Sequence, residues 1–221
     1  IDDAANCFVD RFHHSLRYAE NHDEVRLASN GNWAASGMAI GKPVSAILYG
    51  LGKGPIMLYS GQETGEPADG AEGFSGDDGR SSIFDYGCLP TLVPWINNHL
   101  YRETKLSPEQ RELRQFYASL LETCSEPAFT QGDFYGLNHA NRDNVQYGRI
   151  DGEPVSGHWL YSFMRRDELS GQAFLVVANL NPREALHNVS VQIPDNALGW
   201  LSRKHSSKKT LSFRDTLGSQ R

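Results

Sequence analysis

Residues 17–26 hold the densest group of side chains that could do chemistry. A short segment that ends in Tyr18-Ala19 is followed by Glu-Asn-His-Asp at positions 20–23, and Arg26 comes after two further residues. A carboxylate beside an imidazole can bind hydroxyl groups, move a proton or supply half of a metal site. Catalytic groups of α/β proteins gather at the carboxyl ends of strands. A strand ending just before this group would therefore place His22 and Asp23 where a substrate binds.

A second polar group follows the next apolar run of the chain. Pro55–Tyr59 lies between Gly54 and Gly61 and is typical of a buried parallel strand. It leads directly into Ser-Gly-Gln-Glu at positions 60–63. Glu63 either anchors the strand end through hydrogen bonds or contacts a substrate. Further along, Arg80 and Asp85 either line the rim of a cleft or pair with each other on a solvated loop.

Two other interpretations of these residues stay open at this point. Arg26 either forms an ordinary ion pair with Glu24 or positions Asp23. His22, Asp23 and Glu63 together also fit a small metal-dependent hydrolase, since imidazole and carboxylate are metal ligands. Metal analysis of the purified protein would test the interpretation as a metal-dependent hydrolase.

Apolar periodicity predicts the helices that position these groups. Apolar residues three and four positions apart indicate helices at 5–12, 43–51 and 108–124. The last begins with Ser107 as N-cap and Gln110 three residues later, which is the pattern of a capping box. Helices alternating with strands at this spacing indicate a βα repeat.

After Pro127 the apolar period changes from helical to the alternation of a strand. Three sets alternate between turn-rich segments, namely Trp159, Tyr161 and Phe163, then Phe174, Val176, Ala178 and Leu180, then Val189, Val191 and Ile193. Alternation of this kind predicts an antiparallel sheet with one face on a core.

Composition excludes several classes of partner. The hydrophobic content of 39% and charged content of 22% are ordinary for a soluble globular protein. A net charge of −6 argues against nucleic acid as a partner, and no apolar run approaches the roughly 18 residues of a membrane span. The 3 cysteines are widely spaced and odd in number, which favours a reducing, cytoplasmic compartment. The chain opens on Ile-Asp-Asp, as a fragment or a processed product would.

Several of these motifs resemble those of the alpha-amylase superfamily of glycoside hydrolases. Glu-Asn-His-Asp with the following Arg26 is similar to the signature of that family's seventh barrel strand. Tyr-Ser-Gly-Gln-Glu is similar to the end of the eighth, and Leu-Val-Val-Ala-Asn-Leu-Asn at 175–181 to a strand of the C-terminal domain. The resemblance implies an α/β chain: residues 1–125 as the C-terminal part of a (β/α)8 TIM barrel, and 126–221 as an incomplete antiparallel β-sandwich domain.

The resemblance also implies a function and its residues. In the family, the equivalent of Asp23 is the third carboxylate, which holds the hydroxyls of the reacting sugar, and His22 hydrogen-bonds the same ring. The resemblance further implies four substrate-binding residues, which are Arg26, Glu63, Arg80 and Asp85. The reaction would be retaining chemistry on an alpha-linked glucan or oligosaccharide, without a metal or a cofactor, and hydrolysis is not separable from transglycosylation.

The match begins near the sixth barrel helix, so the nucleophile and the acid/base carboxylate of the family fall outside this chain. We therefore expect the chain alone to be inactive and to need the missing N-terminal half of the barrel as its partner. The alternative from another class is a non-catalytic carbohydrate-binding or structural module. Such a module would have no reason to keep the His22-Asp23 pair.

Overall fold

A computed structural model describes residues 14–31, 36–70, 77–81, 89–150, 159–201 and 212–218. Within these ranges, five strands form one sheet of two strands and one of three. The predicted helix at 5–12 lies outside them. None of the helices in the described ranges has the length and apolar character needed to cross a membrane.

The first sheet is a parallel pair joined by a helix. Strand β1 (Arg17–Tyr18) pairs with strand β2 (Ile56–Met57), and helix α1 (Gly41–Leu51) connects them after a 3-10 turn at Gly37–Ile40. The helix predicted at 43–51 is thus confirmed and begins two residues earlier. Because the strands are parallel, the segments that follow β1 and β2 leave the sheet at the same edge.

The other helices are mostly short. They are α2 (Val93–Ile96), α3 (Pro108–Cys124), α4 (Pro127–Thr130), α5 (Asn138–Asn141) and α6 (Asp195–Leu201), with 3-10 turns at Gln62–Thr64 and Glu103–Lys105. Helix α3 begins with the predicted capping box. The backbone N–H of Gln110 donates to Ser107 Oγ at 3.2 Å, and the N–H of Ser107 donates to Gln110 Oε1 at 3.0 Å. Two N–H groups that a helix start leaves without partners are satisfied in this way.

The second sheet is an antiparallel meander covered by helices on both faces. Strands β3 (Asp133–Gly136), β4 (Leu160–Arg166) and β5 (Ala173–Asn179) pair in chain order, and β4 lies in the centre. On one face Phe163 packs against α1, and on the other Met164 packs against α6. Helices therefore occupy the positions where a sandwich would have its second sheet.

The predicted β-sandwich is wrong because the alternating segment 189–193 does not form a strand. Its backbone bonds to side chains of the α5 region instead. Asn141 accepts from Gln192 N at 2.7 Å and donates to Gln192 O at 2.9 Å, and Asn144 donates to Ser190 O at 2.8 Å. The apolar alternation has a different cause: Val191 and Ile193 pack beside α6, against the core that includes Met164.

The predicted portion of a (β/α)8 TIM barrel is also wrong. In the described part of the chain, two strands of two residues pair in parallel and no barrel closes. Helix α1 is a core helix, because Tyr49 packs against α3 while Ile47 and Leu51 pack against the antiparallel sheet. A barrel helix would keep one face in solvent. The domain boundary at 125–126 stays a prediction, and one core cluster contains both Tyr49 and Phe129.

Candidate functional site

The structure brings together the polar segments that follow β1 and β2. Arg26, from the first segment, donates through Nη2 to Ser60 O at 2.9 Å. Its guanidinium also lies over the ring of Tyr59, 4.3 Å from the ring centre. A third segment joins the same site, since Arg26 Nε donates to Ser81 Oγ at 2.9 Å and Arg26 N donates to Gly79 O at 2.8 Å. Arg26 is thus the residue that ties the three segments together.

Arg26 forms its ion pair with Glu20, not with Glu24. The Nη1–Oε2 distance is 2.9 Å, and the side chains of Arg26 and Glu20 are 0% and 2% exposed. The second carboxylate oxygen of Glu20 accepts from Leu27 N at 2.7 Å. A fully buried Arg26 cannot touch a substrate directly from this position, so a role in the site would have to act through the loop it holds.

Burial governs the electrostatics of this pair. Loss of solvent raises the pKa of Glu20, while the charge and hydrogen bond of Arg26 and the Leu27 amide act in the opposite direction. The charge of Glu63 raises the pKa of Glu20 further, which places Glu63 near the same pair. Removing two charges from water costs free energy that offsets much of their attraction. The ion pair is therefore better evidence for a fixed loop geometry than for a large contribution to stability.

His22 and Asp23 lie at the exposed tip of the loop between Glu20 and Arg26. Their side chains are 48% and 62% exposed, and His22 Nε2 is 3.4 Å from Asp23 Oδ1. Asn21 shapes the tip, because its Oδ1 accepts from the backbone N–H of Asp23 at 2.8 Å and of the next residue at 3.0 Å. The two predicted catalytic side chains therefore stand side by side and face solvent on a loop with a defined turn.

Arg80 contacts the backbone of Asp23. Its Nε donates to Asp23 O at 2.9 Å, and its Nη1 forms an ion pair with Asp78 Oδ2 at 3.0 Å. The peptide units on both sides of the Asp23 side chain are thus held, one by Asn21 and one by Arg80. The predicted partner Asp85 lies outside the described residues.

In the Gly-Gln-Glu segment at 61–63, Gln62 belongs to a buried polar cluster, whereas Glu63 lies near the Glu20–Arg26 pair. Gln62 is 3% exposed, and its Nε2, which can donate two hydrogen bonds, lies 3.2, 3.1 and 3.0 Å from the hydroxyls of Ser45, Tyr49 and Tyr117. Burial of this cluster raises the pKa of Tyr49 to about 12. The neighbouring Glu63 has a buried oxygen, Oε2, with no hydrogen-bond partner among the described residues. Because that oxygen is buried, contact between Glu63 and a substrate stays a prediction.

His22, Asp23 and Glu63 do not converge as a metal site. Across the described ranges, no three His, Cys, Asp or Glu side chains lie close enough to hold a metal ion. The sequence analysis also missed the role of Glu20. One signal was available, because Glu20 and Arg26 lie on opposite sides of the His22-Asp23 pair, and an ion pair between them would close a loop.

Comparison of the chain with family models finds no match, and comparison with curated proteins finds none either. Any functional assignment therefore depends on the motifs and on the geometry of this site.

Proposed function

We propose that this chain is part of a retaining glycoside hydrolase or transglycosidase that acts on alpha-linked glucans, with Asp23 as its transition-state-stabilising carboxylate. The observation that carries the proposal is the exposed His22–Asp23 pair on a loop whose base is closed by a buried ion pair. The likeness of this loop to the alpha-amylase signature supplies the reaction class.

The chemistry explains why a third carboxylate is useful. Retaining enzymes use one carboxylate as nucleophile and another as acid and then base, about 5–5.5 Å apart across the scissile bond. In the proposal, both come from a part of the protein outside these 221 residues. The sugar ring flattens and gains positive charge at the transition state. An anionic side chain that accepts hydrogen bonds from the ring hydroxyls stabilises that state more than the ground state.

The geometry suits this role because the loop is organised before any sugar arrives. Asn21 and Arg80 hold the backbone on the two sides of Asp23, so the loop backbone loses little freedom on binding. Preorganised charge of this kind avoids reorganisation during the reaction. His22 beside it is 48% exposed and can donate to a ring hydroxyl.

The test is Asp23→Asn in the complete enzyme, with kcat and KM measured on maltoheptaose. We expect kcat to fall by on the order of 10²–10³, with a small change in KM, because asparagine still hydrogen-bonds the sugar but carries no charge. The melting temperature should not change, since the Asp23 side chain is 62% exposed. Asp143→Asn is the matched control, with a side chain 87% exposed in an ion pair elsewhere.

Two results would argue against the proposal. Near-normal kcat for Asp23→Asn would remove Asp23 from the mechanism, and normal kinetics with a lower melting temperature would make it a structural residue. If the complete protein binds maltoheptaose but neither cleaves nor transfers it, the alternative of a non-catalytic carbohydrate-binding module would be correct.

A further inference from the structure

The loop that carries His22 and Asp23 is closed at its base by side chains and not by a strand pair. Glu20 and Arg26 stand at its two ends and meet through a 2.9 Å ion pair that is almost completely shielded from solvent. Asp23 lies midway between them in sequence and is 62% exposed. A buried contact at the base thus defines the path of an exposed tip.

Each partner of the pair also holds other backbone. Glu20 Oε1 accepts from Leu27 N at 2.7 Å, so the same carboxylate binds the Arg26 side chain and the Leu27 backbone at the far end of the loop. Arg26 uses its remaining nitrogens on Ser81 Oγ and Ser60 O, both at 2.9 Å. Any shift of the pair would therefore move the loop relative to the segment after β2 and to the segment that carries Arg80.

We infer that Glu20 and Arg26 are positioning residues, which set the location of the Asp23 carboxylate relative to the substrate without touching it. The inference rests on the proposed function of Asp23 and adds the device that fixes its place. Replacing a buried ion pair with apolar side chains is often harmless to stability, so a buried pair at the base of a loop is better explained by geometry than by stability. Misplacement of a catalytic group by about 1 Å can lower a rate by roughly 10²-fold.

A double-mutant cycle between Glu20 and Asp23 tests the inference in the complete enzyme with maltoheptaose as substrate. Glu20→Gln keeps the size and an acceptor for Leu27 N but removes the charge that holds Arg26. We expect Glu20→Gln to lower kcat roughly 10- to 100-fold with little change in KM. In an Asp23→Asn background, the same change should lower kcat by less than about 3-fold, because a residue that acts through Asp23 has nothing left to position.

The control variant is Glu112→Gln, which breaks an ion pair with Lys42 on the surface of α1 and α3. It should leave kcat and KM unchanged. Arg26→Lys is the second test variant, since lysine keeps the charge but cannot reach Glu20, Ser60 and Ser81 together. It should reproduce the kinetic effects of Glu20→Gln and the same non-additivity.

The outcomes distinguish a failure of the proposed function of Asp23 from a failure of the positioning role of Glu20 and Arg26. If Asp23→Asn alone has normal kcat, the proposed function fails. If Asp23→Asn is slow but Glu20→Gln and Arg26→Lys are normal, only the positioning role is wrong. Effects that multiply across the cycle would also overturn it. If either variant fails to fold, the double variant Glu20→Leu, Arg26→Met, which leaves no unpaired buried charge, replaces it in the cycle and should show the same non-additivity with Asp23→Asn.

Discussion

Arg17 and Arg165 donate hydrogen bonds to the same end of helix α1 from two different sheets. Arg17 Nη1 bonds to Tyr49 O and, at 2.8 Å, to Gly52 O, while Arg165 Nη1 bonds to Leu51 O at 3.1 Å. The last carbonyls of a helix have no partners within it and carry partial negative charge. Two guanidinium groups satisfy them here. The parallel pair and the antiparallel sheet are thereby fastened to one helix terminus.

The first prediction concerns Arg165. Besides Leu51 O, it donates to the carbonyls of Ala128, Phe129 and Gly132 at 3.1, 3.1 and 2.9 Å. Burial, and secondly the charge of Arg17, lower the pKa of Arg165 to about 10, while the charge of Asp133 opposes the shift. Arg165→Met would leave several buried acceptors unsatisfied and should lower the free energy of unfolding by about 3 kcal/mol.

Urea denaturation measures this effect, with Arg142→Met as control. Arg142 is 73% exposed in an ion pair with Asp143, so its replacement should change the free energy of unfolding by less than about 0.5 kcal/mol. Equal effects of Arg165→Met and Arg142→Met would show that the shared helix end does not depend on the guanidinium.

A second prediction concerns the pH dependence of stability. Cys124 is 3% exposed, and burial raises the pKa of its thiol to about 11, although Arg17 and Arg165 oppose the shift. A raised thiol pKa means that the unfolded chain ionises first. The contribution of Cys124 to stability is therefore complete below the ordinary thiol pKa and is lost as the pH rises through 11. The loss between pH 8 and 9.5 should be about 1 kcal/mol.

The measurement is the free energy of unfolding at pH 8 and 9.5 in a Cys7→Ser, Cys88→Ser background, with Cys124→Ala as the comparison. The alanine variant should lose less stability over this interval. In the same background, a thiol reagent should modify Cys124 only as fast as the protein opens. Rapid modification of the folded protein would contradict the burial of this thiol.

The elements that the sequence predicts well are those specified by neighbouring residues. The start of α3 follows from Ser107 and Gln110, which bond to each other's backbone three residues apart. The segment 189–193 was mispredicted because its conformation depends on Asn141 and Asn144, which are distant in sequence. Alternating apolar residues cannot reveal that the backbone polar groups between them are bonded to remote side chains and not to a neighbouring strand.

A third prediction tests whether the hydrogen bonds from Asn141 hold segment 189–193 in place of a neighbouring strand. Asn141 is fully buried and bonds to both backbone groups of Gln192, and it donates to Leu137 O at 2.8 Å. Asn141→Ala should cost on the order of 2–3 kcal/mol and should speed hydrogen exchange in 190–193 and α6. The exposed Asn30→Ala serves as control. Unchanged exchange at 190–193 in Asn141→Ala would mean that other contacts hold this segment.

The site shows the same division between local and remote information. The motif identifies His22 and Asp23, because residue type and order are sufficient to mark them as a candidate pair. It does not reveal that Glu20 and Arg26 pair behind them, or that Ser60 and Ser81 complete the shell of Arg26, 34 and 55 residues away. Those partners depend on the parallel pairing of β1 with β2, which brings distant segments to one edge.

The last prediction concerns Arg80 and two contacts of its side chain. The hydrogen bond from Nε to Asp23 O fixes the loop tip, and the ion pair with Asp78 involves side chains 32% and 18% exposed. Arg80→Met removes both contacts. If Asp23 acts on the transition state, its loosened backbone should lower kcat roughly 10-fold, less than the loss from Asp23→Asn, because the charge itself remains.

Asp78→Asn separates these two side-chain contacts. It weakens the ion pair but leaves the bond to Asp23 O in place, so kcat on maltoheptaose should stay within about 2-fold of the parent enzyme. Melting temperatures of both variants serve as the check on folding. An equal fall in kcat for Arg80→Met and Asp78→Asn would trace the effect to the ion pair. An unchanged kcat for Arg80→Met would mean that the turn made by Asn21 is enough to hold Asp23.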